Sequence, residues 1–402
     1  MMFFIDDFHE NGKKNNNKET NCYYQKLYDT YSYLDYFQES KITISYHKKQ
    51  RYIDKNKNNL HHNIKDDKKY VIDKLTVDNT GLNDEQLADS IENVIQKCNI
   101  NLHDKKYPDG WQLFYLYKEL IQIFTGEKFG FNYFRGESDD YKLAPGILRD
   151  NIDDSYRHDF EEEYKRLCMN FPERVEYYSN DRKNRDKREE QLSILQHYEL
   201  KTSLLDISTN PFISMIFMFS SEVDEYRKPS LYLFKVNDSG DKRDFLFSKV
   251  KKNRYNLRIN AQKGAFFNFD KAYEAKKKNP EGIPCVKIIL DYNESEDMKR
   301  LNIEYNTILK FIEKYGKKDT YVTYLKIIDK QIKNIDKFKA DSLREIRVEM
   351  LKKLNEYYYS EEDLFPDFFK QIEYVSRTYA LNKEQTSISF NDALYKSNEN
   401  NG

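Results

Sequence analysis

Three kinds of side chain in this chain are spaced so that they could act together. An arginine closes an aromatic strand in Tyr133-Phe134-Arg135-Gly136-Glu137. A Gln-His pair and an aspartate stand ten residues apart inside the run from Gln196 to Phe219, QHYELKTSLLDISTNPFISMIFMF. A guanidinium grips phosphate or carboxylate through a planar fork. A glycine beside it lets a ligand approach the backbone. Arg135, His197 and Asp206 are therefore the candidate catalytic groups, with Gln262 further along the chain. Phe134, Gly136, Gln196, Thr202, Ser208 and Asn210 are the candidates for ligand binding. Polar groups pressed between apolar elements must be paired or used, because an unpaired buried one costs about 1–3 kcal/mol. Each also has a purely structural reading. Arg135 would pair with Glu137, Asp206 or Glu163, His197 would sit neutral in the core, and Asp206 would staple the loop before the next helix.

The elements that position these groups read as follows. Phe131–Phe134 and Leu200–Asp206 are short strands. Ser208, Thr209 and Asn210 can each cap a helix, and Pro211 suits its first position, where a missing N–H has no partner. The helix PFISMIFMFSSE is apolar on nearly every face, so it belongs inside the domain. Its free N–H groups favour a negative partner, and Asp206 is the nearest. Elsewhere, KITISYH, Ser230–Val236 and Val286–Tyr292 read as strands. NDEQLADSIENVIQKC reads as a helix capped by Asn83, Trp111–Phe124 as a second, and FEEEYKRLCMNF as a third. SNDRKNRDKREEQ reads as a solvated helix or loop. The fold class is α+β: a small mixed or antiparallel sheet with flanking helices and one buried apolar helix. Residues 1–82 are expected as a small, partly low-complexity N-terminal appendage, 83–378 as the main body with a helical insertion near 295–345, and 379–402 as a polar tail.

Composition excludes more than it assigns. The net charge of −1 across 402 residues gives no global field to recruit nucleic acid or an anionic membrane. Nucleic-acid contact is not expected, because SNDRKNRDKREE mixes both signs where such a tract carries a positive excess with aromatics. Of the 67 basic residues only 17 are arginine, so each arginine is more informative than usual. The cysteines, Cys22, Cys98, Cys168 and Cys285, form no CxxC pair and fit a reduced, cytoplasmic compartment. His61-His62 has no further ligand at metal spacing and reads as a loop, so no metal site is expected. No signal peptide or membrane span is expected.

At these residues the chain resembles the FRG domain family, named for the triplet that stands here as Phe134-Arg135-Gly136. The resemblance runs from Trp111 to about Ser376. It includes Leu143-Ala144-Pro145-Gly146-Ile147-Leu148-Arg149, then a helix around Glu162 and Glu163. The family's longest pattern, Gln-His-Tyr-Gly-x-Pro-Thr-Arg-Leu-Leu-Asp-Trp-Thr-x-Asn-Pro, is met by Gln196, His197, Tyr198, Thr202, Leu204, Leu205, Asp206, Ser208, Asn210 and Pro211. Arg258-Ile259-x-Ala261-Gln262 and Leu364-Phe365-Pro366-Asp367 follow it. The chain departs at Glu199 (usually Gly), Lys201 (Pro), Ser203 (Arg) and Ile207 (Trp). The resemblance implies a bacterial or phage-encoded intracellular protein, often in mobile or defence settings.

A weaker similarity is to ADP-ribosyltransferase sites, which begin with an aromatic-Arg-polar strand end, continue with a Ser/Thr strand entering a helix, and use a later Glu or Gln on the ribose. Phe134-Arg135-Gly136, Thr202–Ser208 and Gln262 match these in type. That similarity implies NAD as substrate rather than as resident cofactor, with a side-chain acceptor steadying the oxocarbenium-like charge as nicotinamide leaves. Three readings follow. The first is a nucleotide-modifying or NAD-consuming toxin or antiphage effector. The second is a non-catalytic sensor whose pocket holds a nucleotide or a phage or host protein. The third is a nuclease using His197 and Asp206, for which accompanying carboxylates are too few. Self-association, if any, is assigned to the N-terminal region.

Overall fold

In the computed structural model, residues 23–48, 70–103, 113–240, 243–249, 257–367, 371–372 and 374–376 are described. Cys22, His61-His62, Trp111 and the tail from 379 lie outside the described residues. The chain divides into two compact units, one drawn from residues 1–38, 142–209 and 236–283, the other from 39–141, 210–235 and 284–402. Elements are numbered along the chain. The fold is α+β, with helices flanking the strands of each unit.

The first unit holds helices α1 (Tyr23–Thr30), α4 (Asp154–Asn170), α5 (Arg185–His197), α7 (Leu257–Ala261) and α8 (Ala272–Lys278). Its strands are β4 (Leu204–Ser208), β6 (Phe247–Ser248) and β7 (Gly264–Asn268). β7 pairs antiparallel with both others, and Phe266 stands opposite Asp206 on one side and Ser248 on the other. The charge-dense segment expected to be solvated, residues 179–191, runs into α5, which is not solvated throughout. Leu192 and Leu195 face inward, and Arg188 is wholly enclosed. Its Nε donates to Asp270 Oδ2 at 2.8 Å, Nη1 to Tyr178 O at 2.7 Å and Glu161 Oε2 at 3.2 Å, and Nη2 to Tyr24 Oη at 3.0 Å and to Glu161 Oε1. All five donors of the fork are used. Burial pulls this guanidinium down, but Tyr24, Asp270 and Glu161 outweigh it and hold it above its ordinary range.

The second unit contains β1 (Phe37–Lys48, from residue 39 onward), β2 (Tyr70–Gly81), β3 (Tyr133–Glu137), β5 (Ser230–Phe234) and β8 (Ile283–Tyr292, from residue 284), in the order β2-β1-β8-β5-β3. β1 with β2, β5 with β8 and β3 with β5 are antiparallel. Within the described part of 1–82, read from sequence as an appendage, α1 belongs to the first unit, while β1 and β2 are strands of this sheet. The helices are α2 (Glu85–His103), α3 (Leu113–Thr125), α6 (Pro211–Phe219), α9 (Glu294–Tyr315), α10 (Asp319–Lys333), α11 (Ile335–Glu356) and α12 (Glu361–Leu364). The cap of α2 is Asp84, one residue past the expected Asn83, with Leu87 N donating to its Oδ1 at 3.0 Å.

Apolar faces of α2, α3, α6 and α11 meet the sheet in one continuous core. Within α6 the one polar side chain is Ser214, itself 1% exposed. Both helix ends are satisfied, as burial demands. Asn210 accepts from Phe212 N at 2.9 Å, and Arg347 of α11 donates to Phe219 O at 2.8 Å and Ser220 O at 3.0 Å. The stretch 295–345 is helical except at 316–318 and 334, and α9 with α10 carries a small apolar cluster of its own, Leu301, Ile308, Tyr321 and Ile328.

Candidate functional site

The polar cluster of the first unit is built from the C-terminal end of α5. The helix stops in a Schellman motif. Glu199 N donates to Gln196 O at 2.9 Å and Leu200 N to Leu195 O at 3.2 Å, with Glu199 itself left-handed at φ 71. This stop leaves the Gln196 side chain facing the start of β4. There the Thr202 hydroxyl donates to Gln196 Oε1, and Gln196 Nε2 donates to Asp206 Oδ2 at 2.6 Å. Thr202 is 1% exposed, and its Oγ1 also accepts from Leu204 N at 3.2 Å. Asp206, by contrast, is exposed. A buried hydroxyl thus fixes an amide, and the amide fixes a carboxylate at the surface.

A second layer holds the first. Ile147 N donates to Thr202 O at 3.1 Å, so the turn Gly146–Leu148 latches onto this strand entry. The enclosed Arg157 of α4 donates to Ile147 O at 3.1 Å and Arg149 O at 2.8 Å, fixing that turn in place. At the far end of β4, Ser208 Oγ donates to Gln262 O at 2.7 Å and Thr209 N to Lys263 O at 3.1 Å. Both bonds fasten the turn between α7 and β7. His197 is half-buried, and its carbonyl accepts from Arg258 Nη1 at 2.7 Å. Arg258 also stood in the sequence pattern, but not among the expected site residues.

The remaining candidates belong to the second unit. Phe134 is buried in the core against α6 and its neighbours. Arg135 Nε donates to Glu137 Oε1 at 2.7 Å, and both side chains are largely covered, at 12% and 11% exposure. Gly136 has a packing reason for its missing side chain: a Cβ there would lie 1.8 Å from Ser214 O and 2.8 Å from Met218 N. Asn210 caps α6 and donates its Nδ2 to Tyr359 Oη at 3.0 Å. The cap expected among Ser208, Thr209 and Asn210 is thus Asn210. Asp206 is engaged with Gln196.

Residues 131–227 match the family model of the FRG domain. The chain carries an FRG domain. The match takes in β3, with Phe134-Arg135-Gly136, and the whole Gln196–Asn210 block. No curated protein and no solved structure matches the chain. The FRG pattern's glycine at the position of Glu199 has a direct cause in the left-handed backbone there, which glycine adopts freely and other residues do not. Sequence reading missed the enclosed Arg188 in the FRG domain's first-unit segment. The signal was an arginine in a lysine-rich chain. Among the described residues, no group of three His, Cys, Asp or Glu side chains is placed to hold a metal ion. No described helix is long and apolar enough to cross a membrane.

Proposed function

We propose that the FRG domain binds a ribonucleotide and that Asp206 is the acceptor for its ribose hydroxyls. The observation that supports this is the exposed carboxylate fixed from behind by Gln196 and the buried Thr202. Ribose offers adjacent O–H donors, and an oriented carboxylate accepts from both without reorganising. His197, beside Gln196, is the proton carrier of this reading.

In its enzymatic form the reading is NAD consumption or ADP-ribosyl transfer by an intracellular toxin or antiphage effector. The carboxylate then stabilises charge on the ribose as the C–N bond to nicotinamide breaks. The competing form is a sensor that holds a nucleotide, or a phage or host protein, without turnover. A metabolite profile of cells expressing the wild type and Asp206→Asn separates them. The enzyme form predicts a depleted NAD pool with the wild type and an intact pool with the variant at equal protein levels. An intact pool with the wild type, together with saturable nucleotide binding, leaves the sensor. A wild type that shows no depletion and no nucleotide binding overturns the proposal.

A further inference from the structure

A separate cavity of about 420 Å³ lies wholly within the first unit, near the end of β7 remote from Gln262. That volume falls in the range of small-molecule sites. Phe245, Phe247 and Phe266 supply apolar walls, and Ser248 and Lys271 lie in its lining beside Glu189. Three elements bring these polar groups together. Ser248 ends β6 and pairs across to Phe266. Lys271 closes the turn Phe269–Lys271 that follows β7, and Glu189 projects from α5.

Lys271 Nζ donates to Ser248 Oγ, and Glu189 Oε2 stands 3.6 Å from the same nitrogen. Asn268 Nδ2 donates to Glu189 Oε2 at 2.7 Å, while Asn268 Oδ1 accepts from Asp270 N at 2.9 Å. The order is therefore hydroxyl, amine, carboxylate, amide, each held by the next. A nucleophile within hydrogen-bond reach of a base, with the base oriented by a third group, is the general arrangement of covalent catalysis. Buried polar groups with no chemical task need no cavity at the hydroxyl end. This one has it.

We propose that Ser248, Lys271 and Glu189 form a nucleophile, base and positioning set, and that the cavity hydrolyses a small acyl ester with an apolar body. The balance is as follows. Neutral Lys271 takes the Ser248 hydroxyl proton as Oγ attacks the carbonyl carbon. The C–O bond to the leaving alcohol breaks, and that oxygen takes the proton from Lys271. Water then attacks the acyl-serine, giving one proton to Lys271 and releasing the carboxylic acid. Ser248 Oγ recovers its proton from Lys271. Burial pulls the amine below the ordinary lysine range, which favours the neutral base. Glu189 opposes that shift, Arg243 and Arg185 support it, and Asp186 opposes it. Glu190, Asp244 and Lys249 are the other charged groups on the cavity wall.

The test treats the full-length chain with a fluorophosphonate probe and maps the adduct by peptide mass spectrometry, with p-nitrophenyl butyrate hydrolysis in parallel. One adduct on Ser248 is expected, absent in Ser248→Ala. Lys271→Arg keeps the charge but cannot supply a neutral amine, so labelling should fall by about 100-fold or more. Labelling of the wild type should rise with pH to a plateau, and Glu189→Gln should move its midpoint down, because the carboxylate favours the protonated amine. A change in packing alone would not move that midpoint. Melting curves confirm which variants are folded, and Ser248→Ala removes only an oxygen. A folded wild type whose Ser248 stays unlabelled, an adduct on another residue, or Lys271→Arg reacting at the wild-type rate each overturns the proposal.

Discussion

One helix serves two polar clusters of opposite character. Near the start of α5, Arg188 is enclosed with all five donors engaged by Glu161, Asp270, Tyr24 and a backbone carbonyl. At its end, Gln196 links the buried Thr202 to an exposed Asp206. The first network closes on itself and leaves nothing for a ligand. The second is equally ordered on its inner side, yet its carboxylate lies at the surface. Exposure of an ordered group is what distinguishes a candidate binding group from an enclosed ion pair. A buried pair holds the fold because breaking it strands a charge, whereas replacing an exposed carboxylate costs little.

Breaking the first cluster should have the largest effect. Arg188→Met strands Glu161 and Asp270 in the interior and should destabilise by about 3–5 kcal/mol, read from urea unfolding. A loss below about 1 kcal/mol would erase the contrast between the two ends of α5. Thr202→Val is intermediate. It keeps the shape but leaves Gln196 Oε1 and Leu204 N short of a partner, costing about 1–2 kcal/mol. Because it also loosens Gln196, nucleotide affinity should fall several-fold in an isothermal titration. The smallest effect is of opposite sign. Glu199→Gly relieves a left-handed non-glycine residue at the stop of α5 and should raise stability by about 0.5–1 kcal/mol with binding unchanged. A destabilised Glu199→Gly would show that the side chain, not the backbone, matters there.

Much of this was legible in local sequence because local chemistry decides it. The apolar run after Pro211 admits only a buried helix, and Asn210 before it has the right side chain for a cap. Asp206 stood out for the same reason, as a lone acid ahead of that helix. The sequence pattern starts β4 at Leu200, four residues before its observed start at Leu204. Leu200 completes the helix stop and Thr202 serves Gln196 and Ile147, so neither continues the ladder. What stayed hidden depends on distant pairing. An inward arginine inside a run of charges has no local mark, and Arg188 declares itself only when Asp270 arrives from 82 residues away. Ser248 and Lys271 meet only because β6 and β7 pair. KITISYH, within β1, reads as a strand, but the low-complexity residues around β1 and β2 hide that both belong to the second unit's sheet.

The claim at the centre is that α5 holds Asp206 outward for a ribose. Titrating ADP-ribose into the wild type and Asp206→Asn, with melting curves of both, tests it most directly. Saturable binding by the wild type is expected, weakened at least tenfold in the variant while the melting temperature stays within a few degrees. Equal affinity in both proteins, or affinity and melting temperature falling together, would contradict it.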